Sequence, residues 1–283
     1  MKKSLIATAV AGALLVPASA AFADDAPSPW SFNVGLVSDY LFRGVSQTHG
    51  DAAIQGGVDY TSPSGFYAGL WGSSISWVKD WLGKGSGEID VYGGYRGSLA
   101  EGVGYDVGII AYTYPGKGEA IPTFLANPNT AEIYGAVSYQ WLTVKYSHTV
   151  SSHFVGWYGG SAYDKETKGS GYLEANGVWD LGDGWGLSAH VGHQKIKDSV
   201  STAAIDDASY TDWNLGVSKD VGFGVVGLVY SETDAGGSCS NPPPGTNASA
   251  YCWGKVTNTS IPTYGSFKDV AKGTAVLTFK KTF

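Results

Sequence analysis

The feature that constrains this chain most is a two-residue hydrophobic period, recurring in segments of about ten residues from Phe32 to the C-terminus. Phe32, Val34, Leu36, Tyr40 and Phe42 alternate with Asn33, Gly35, Asp39 and Arg43. Ile54, Val58 and Tyr60 alternate with Gln55 and Asp59, and Ile89, Val91 and Tyr95 with Glu88, Asp90, Tyr92 and Arg96. The same pattern follows in Val103–Ala111, Ile133–Tyr139, Leu142–Tyr146, Leu173–Trp179, Trp185–Val191 and Trp213–Val217. Phe223/Val225/Val229 and Ala275/Leu277/Phe279/Phe283 complete the apolar set. Residues 65–77 read as a further strand, but Phe66 to Trp71 is apolar on both faces and gives no phase. Side chains alternate across a strand, so this pattern gives about twelve strands, each with one apolar and one polar face.

The connections carry a second signal. Short ones are expected near 62–64, 97–102, 140, 181–184 and 219–222. Long ones are expected at about 44–52, 78–87, 115–130, 150–169, 197–209 and 232–272. Short and long alternate throughout, as in an antiparallel meander with one trimmed and one elaborated rim. That habit belongs to an all-β, up-and-down transmembrane β-barrel with short periplasmic turns and long extracellular loops.

A soluble sandwich could share the alternation with its faces reversed. Three features favour the membrane. The strands match the 9–11 residues a tilted spanning strand needs. Trp30, Tyr60, Phe66, Trp141, Trp179, Trp185, Phe223 and Phe283 fall near strand ends, where an interfacial girdle sits. Finally, only 15% of residues are charged, against about 25% in soluble domains, yet charges recur at strand centres. The 41 glycines fit a sheet that must curve and close.

At the N-terminus, Lys2 and Lys3 precede an apolar run from Leu5 to Val16 and small residues at 18–23. This reads as a secretory signal peptide over 1–23, cleaved after Ala23, with the barrel domain over 24–283. The full chain carries a net charge of −7, which disfavours nucleic-acid partners. Cys239 and Cys252, 13 positions apart in an exported chain, are expected to form a disulfide. No P-loop, dinucleotide fingerprint or EF-hand spacing occurs, and no cofactor is implied.

Ser38-Asp39-Tyr40-Leu41-Phe42-Arg43-Gly44-Val45-Ser46-Gln47, with Ala53 to Tyr60 after it, resembles the TorF-type porins of Gram-negative bacteria. Gly65 to Gly69, Glu88 to Tyr95, Tyr172 to Ala175 and Leu181 to Gly184 resemble that family too. The resemblance implies an outer-membrane channel and says little about its solute. The segment Ala275 to Phe283 resembles the C-terminal signal read by barrel-assembly machinery, with Lys281 standing where an apolar residue is common.

The polar face nominates as pore-lining Asp39, Arg43, Gln55, Asp59, Glu88, Asp90, Tyr92, Arg96, Asp106, Tyr112, Glu132, Tyr134, Lys145, Glu174, Asn176, His190 and Asp212. Eight are acidic and three basic, which suits passive diffusion of small hydrophilic solutes with a preference for cations. The same charges could instead pair across a narrow bore and plug it, with Arg43 held between Asp39 and Asp59. Two other functions stay open: a lipid-modifying barrel, and a structural or adhesin-like barrel whose loops carry the function. For the enzyme, Ser147 and His148 are neighbours on opposite strand faces and cannot form a dyad. The 232–272 segment reads equally as an inward plug or an exposed, disulfide-tethered cap.

Overall fold

The computed structural model describes residues 28–82, 85–116, 126–159, 165–199, 208–236, 239, 250–258 and 263–283. The expected signal peptide lies outside these residues. The elements are β1 (Trp30–Val37), β2 (Leu41–Phe42), β3 (Val45–Ser46), β4 (Ala53–Thr61), β5 (Phe66–Ser74), α1 (Trp77–Leu82), β6 (Gly87–Ala100) and β7 (Val103–Thr113). They continue as β8 (Thr130–Tyr139), β9 (Leu142–Thr149), β10 (Gly171–Gly182), β11 (Trp185–Lys195), β12 (Tyr210–Asp220), β13 (Val225–Thr233), β14 (Cys252–Asn258), β15 (Thr263–Asp269) and β16 (Thr274–Thr282).

Twelve of these strands, β1, β4 to β13 and β16, form one closed antiparallel barrel. Closure is made by β1, which pairs with β4 from Trp30↔Tyr60 to Val37↔Ala53 and with β16 from Asn33↔Thr282 to Val37↔Thr278. No barrel edge is left unpaired, which removes the template for aggregation that open sheets carry. The start of β1, the end of β16 and the tight turns lie on one rim, while the long connections lie on the other.

The faces are inverted relative to a soluble fold. Along β1, Trp30, Phe32, Val34 and Leu36 are exposed, while Asn33 and Gly35 turn inward. The same holds for Val107 and Ile109 on β7, Val137 on β8, Val144 on β9, Leu173 on β10 and Leu215 on β12. The unphased segment is resolved as β5, with Phe66, Ala68 and Leu70 outward and Tyr67, Trp71 and Ser73 inward. The expected phase is reversed on one strand. On β13 it is Val226, Leu228 and Tyr230 that face out, and Val225, Gly227 and Val229 that face in. Valines occupy both faces there, so apolarity alone could not choose. Aromatic pairs line the trimmed rim: Trp30–Tyr60 at 5.0 Å between ring centroids, Phe66–Tyr95 at 4.9 Å and Trp141–Trp179 at 5.0 Å.

The first expected strand also needs correction. It does not run on to Arg43. It ends at Val37, and residues 38–52 form a loop carrying the β2–β3 hairpin, with Arg43 (φ 50°) and Gly44 (φ 80°) at its turn. Tyr40 and Phe42 mimic strand periodicity because they too need burial, but they find it inside the bore.

Glycine makes room for the large inward side chains at defined places. A Cβ on Gly192 of β11 would overlap the Tyr172 hydroxyl lying flat across it from β10. Gly192→Val should therefore displace that ring and destabilise the barrel by about 1–3 kcal/mol. Urea unfolding followed by tryptophan fluorescence reads this, and an unchanged midpoint would contradict it.

Candidate functional site

The loop at 38–52 crosses the bore. It leaves from β1 and returns to β4, yet its tip reaches strands on the opposite wall. Arg43 Nη2 meets Glu132 Oε2 of β8 at 2.6 Å, and Nη1 donates to Gln194 Oε1 of β11 at 2.6 Å. The guanidinium also lies over the rings of Tyr172 (4.3 Å), Phe42 (4.8 Å) and Phe154 (5.5 Å). Arg43 is 7% exposed and Glu132 is fully buried. Burial opposes the Arg43 charge, but Glu132 outweighs it and holds the guanidinium ionised well above its ordinary range. Glu132 accepts further from Tyr112 at 3.2 Å and Thr149 at 3.4 Å, so the buried pair is well satisfied.

Gly44 presses the tip against β12 and β13. A Cβ there would lie 2.6 Å from Thr233 Cγ2 and 2.8 Å from Asp212 Cβ. The stem is anchored from within. Asp39 accepts from Ser46 at 2.6 Å and Thr48 at 2.9 Å, while burial pushes its carboxyl above the usual range. Tyr40 donates to Glu88 at 2.9 Å, and the Gln47 carbonyl accepts from Ser76 N at 3.0 Å. Ser46 N bonds the Val270 carbonyl at 2.8 Å, tying the loop to the segment after β15.

That second segment covers the elaborated rim. Cys239 and Cys252 are disulfide-bonded, with Cα atoms 5.3 Å apart. Tyr251 and Trp253 beside the bridge are buried. Trp253 packs on Trp77 and His49, and Tyr251 on Trp157 and Tyr210. Of the two readings of 232–272, its described part has folded inward over the mouth.

The bore is therefore graded along its axis. Towards the elaborated rim Gln55, Glu88, Asp90, Tyr112, Glu132 and Asp212 are buried. Asp90, 1% exposed, keeps Oδ1 without a hydrogen-bond partner among the described residues. Towards the trimmed rim Asp59, Arg96, Asp106, Lys145, Glu174, Asn176 and His190 stay partly open to water. Tyr92 and Tyr134 are buried at the boundary between the two zones. All seventeen nominated residues point into the barrel or sit on the loop inside it, but Arg43 is not held by Asp39 or Asp59. Its partner is Glu132, because the loop carries it away from the wall on which the strand reading put it.

Two networks organise the open half. Asp59 accepts from Tyr92 at 2.5 Å, and Asp106 from Tyr67 at 2.5 Å, with Arg96 stacked on Tyr67 at 4.1 Å. Opposite, Lys145 reaches Glu174 at 3.3 Å and Asn176 donates to Glu174 at 2.8 Å. His190 Nδ1 meets Asn176 Oδ1 at 2.8 Å, and its Nε2 meets Asp212 at 2.9 Å and Tyr172 at 2.8 Å. Sequence reading missed Gln194, Tyr67 and Lys280. Gln194 shared the polar parity of His190 and was readable; Tyr67 lay in the unphased strand. Lys280 faces inward opposite Gly35 and feels the Asp59 charge. Ser147 is buried in the bore while Tyr146 beside it is exposed outside, as the alternation required. Among the described residues no group of His, Cys, Asp or Glu is arranged to hold a metal ion.

Residues 21–283 match a family described as "Bacterial protein of unknown function (Gcw_chp)". The chain belongs to the Gcw_chp family. No curated protein matches it. Among solved structures, this Gcw_chp protein is similar to the NanC porin, with a TM-score of 0.50 at 9% identity over 89% of this chain and 98% of that one. It is also similar to the KdgM porin, with a TM-score of 0.49 at 7% identity over 89% of this chain and 99% of that one. At such identity the likeness is one of barrel fold.

Arg43→Ala would leave Glu132 buried without its counter-charge, a change that costs about 3–5 kcal/mol when the site cannot relax. The loop is expected to undock. Amide exchange across 44–50 should then accelerate while β8 stays protected, whereas unaltered exchange in the loop would contradict the latch.

Proposed function

We propose that this Gcw_chp protein spans the outer membrane as a channel for small hydrophilic solutes, preferring cations, with passage set by the loop at 38–52. The observation that carries the reading is the graded bore: a wet, charged vestibule open at the trimmed rim, closed further up by a loop latched across it. A structural barrel has no need of the first, and a freely open pore would lack the second. Twelve strands lie between eight-stranded barrels filled by side chains and the 16–18-stranded porins with wide channels, so one inward loop can govern the bore. The apolar outer band with its aromatic rim supports the membrane setting.

In this reading 1–23 is a signal peptide removed on export, the trimmed rim faces the periplasm, and the strand ending at Phe283 is presented to the barrel-assembly machinery. The likeness of the 38–47 motif to TorF-type porins agrees with a channel. That motif falls on the loop at 38–52, the segment that closes the bore. Lys280 raises the basic residues of the bore to four, still fewer than the eight acidic ones, which supports cation preference. Asp59, Asp106 and Glu174 stand in the open half and are the side chains a passing ion meets.

Planar-bilayer recordings test this. Wild-type protein should show small, intermittent currents, with a reversal potential under a salt gradient that favours cations. A variant lacking residues 40–50 should conduct several-fold more. Equal conductance of the two proteins, or a clear anion preference, would overturn the proposal.

A further inference from the structure

Outside the bore, charge on the described strand faces is confined to the two rims, with Glu232 of β13 on the outward face at the elaborated end. At the elaborated end of β9 to β11 the lipid-facing surface turns basic. Gly171 of β10 pairs with His148 of β9 on one side and Lys195 of β11 on the other, and Leu173 pairs with Tyr146 and His193. His148, His193 and Lys195 thus share the outward face over three adjacent strands, about 10 Å across. The loop residues above add to them. A Cβ on Gly169 would sit 3.3 Å from Lys197 Cδ and 3.8 Å from His148 Cε1, so Lys197 and His148 converge over one glycine, with exposed Lys168 next to it. The Tyr146 hydroxyl meets His148 Nδ1 at 3.3 Å, holding the ring at this edge.

The surrounding acids leave the patch positive. Glu166 acts on His153, and Asp198 packs over Gly159 beside Lys165. Asp234 caps Thr211 on the β12 side. Over β9 to β11 the described Lys165, Lys168, Lys195 and Lys197 stand against Glu166 and Asp198, while Asp234 and Glu232 lie on the β12–β13 side. Directly below, Tyr146, Leu173 and Val191 are about half exposed and belong to the apolar band.

We infer that this patch binds the phosphate groups of a membrane lipid, with the acyl chains lying on Leu173 and Val191. It rests on the membrane reading proposed above. Cations over apolar wall at a membrane boundary match an anionic headgroup over hydrocarbon. Their spread over three strands fits a headgroup bearing more than one phosphate, and the ligand is a bisphosphorylated lipid. At the trimmed rim the outward lysines are Lys219 and Lys281, which lie over Trp185 and Phe283 on separate strands and form no comparable cluster.

The test uses full-length protein in phosphatidylcholine vesicles doped with bisphosphorylated lipid A, beside a Lys168→Gln/Lys195→Gln/Lys197→Gln variant. Wild type should enrich lipid A around itself, and the variant should bind it about 100-fold more weakly, at roughly a factor of five per lysine. Excess inorganic phosphate should compete poorly. Equal affinity of the two proteins, or displacement by inorganic phosphate, overturns the lipid site. Insertion into undoped vesicles separates the two readings. A wild type that fails to insert overturns the membrane reading and this inference with it, whereas normal insertion without lipid A selectivity overturns this inference alone.

Discussion

A closed ladder of twelve strands leaves every strand with one face looking into a bore and one looking out, and the polarity of the two faces is the constraint from which the rest follows. The outward side is apolar, so the inward side must hold nearly all the chemistry. Fifteen of the side chains nominated from sequence, and Gln194 and Lys280 besides, crowd into that space with the loop at 38–52. Charges placed there must either find partners or keep water, and the molecule does both, in different halves. Near the trimmed rim Lys145, Glu174, Asn176 and His190 form a wetted chain. Near the elaborated rim Arg43 and Glu132 are dry and depend on each other.

The loop depends on a dry ion pair. A buried ion pair adds little to net stability, because desolvating two charges offsets their attraction. Its effect is on geometry: Glu132 accepts one arrangement of the guanidinium, and Gln194 and the Tyr172 face fix its orientation. The tip is therefore held across the bore by contacts that fail together once one partner leaves. Ser46 to Val270 and His49 to Trp253 link it to the disulfide-bridged segment, so the two inward pieces form one assembly. Displacing either exposes the other to water.

Much of this was legible in the sequence. Strand number, the alternation of short and long connections, the disulfide and the inward parity of Glu88, Glu132, Lys145 and His190 all follow from period and spacing. Period fails where both faces are apolar, as at Phe66–Trp71 and Val225–Val229, since only neighbouring strands decide the phase there. It fails again at Asp39 to Arg43, where the alternation is genuine but belongs to a loop inside the barrel. The turn at Arg43 and Gly44 was the available signal: glycine after a long polar residue, in the middle of an expected strand, is costly unless the chain reverses. Which carboxylate pairs with Arg43 could not be read from spacing at all, because 89 residues separate it from Glu132.

Arg43 and Glu132 meet across the bore at 2.6 Å. A double-mutant cycle of Arg43→Ala, Glu132→Ala and the double variant, scored by unfolding free energy in lipid vesicles, tests it most directly. A coupling of about 2–3 kcal/mol is predicted for a dry, directly bonded ion pair. Additive effects, with a coupling below about 0.5 kcal/mol, would mean that the two side chains do not touch and that the loop does not span the barrel.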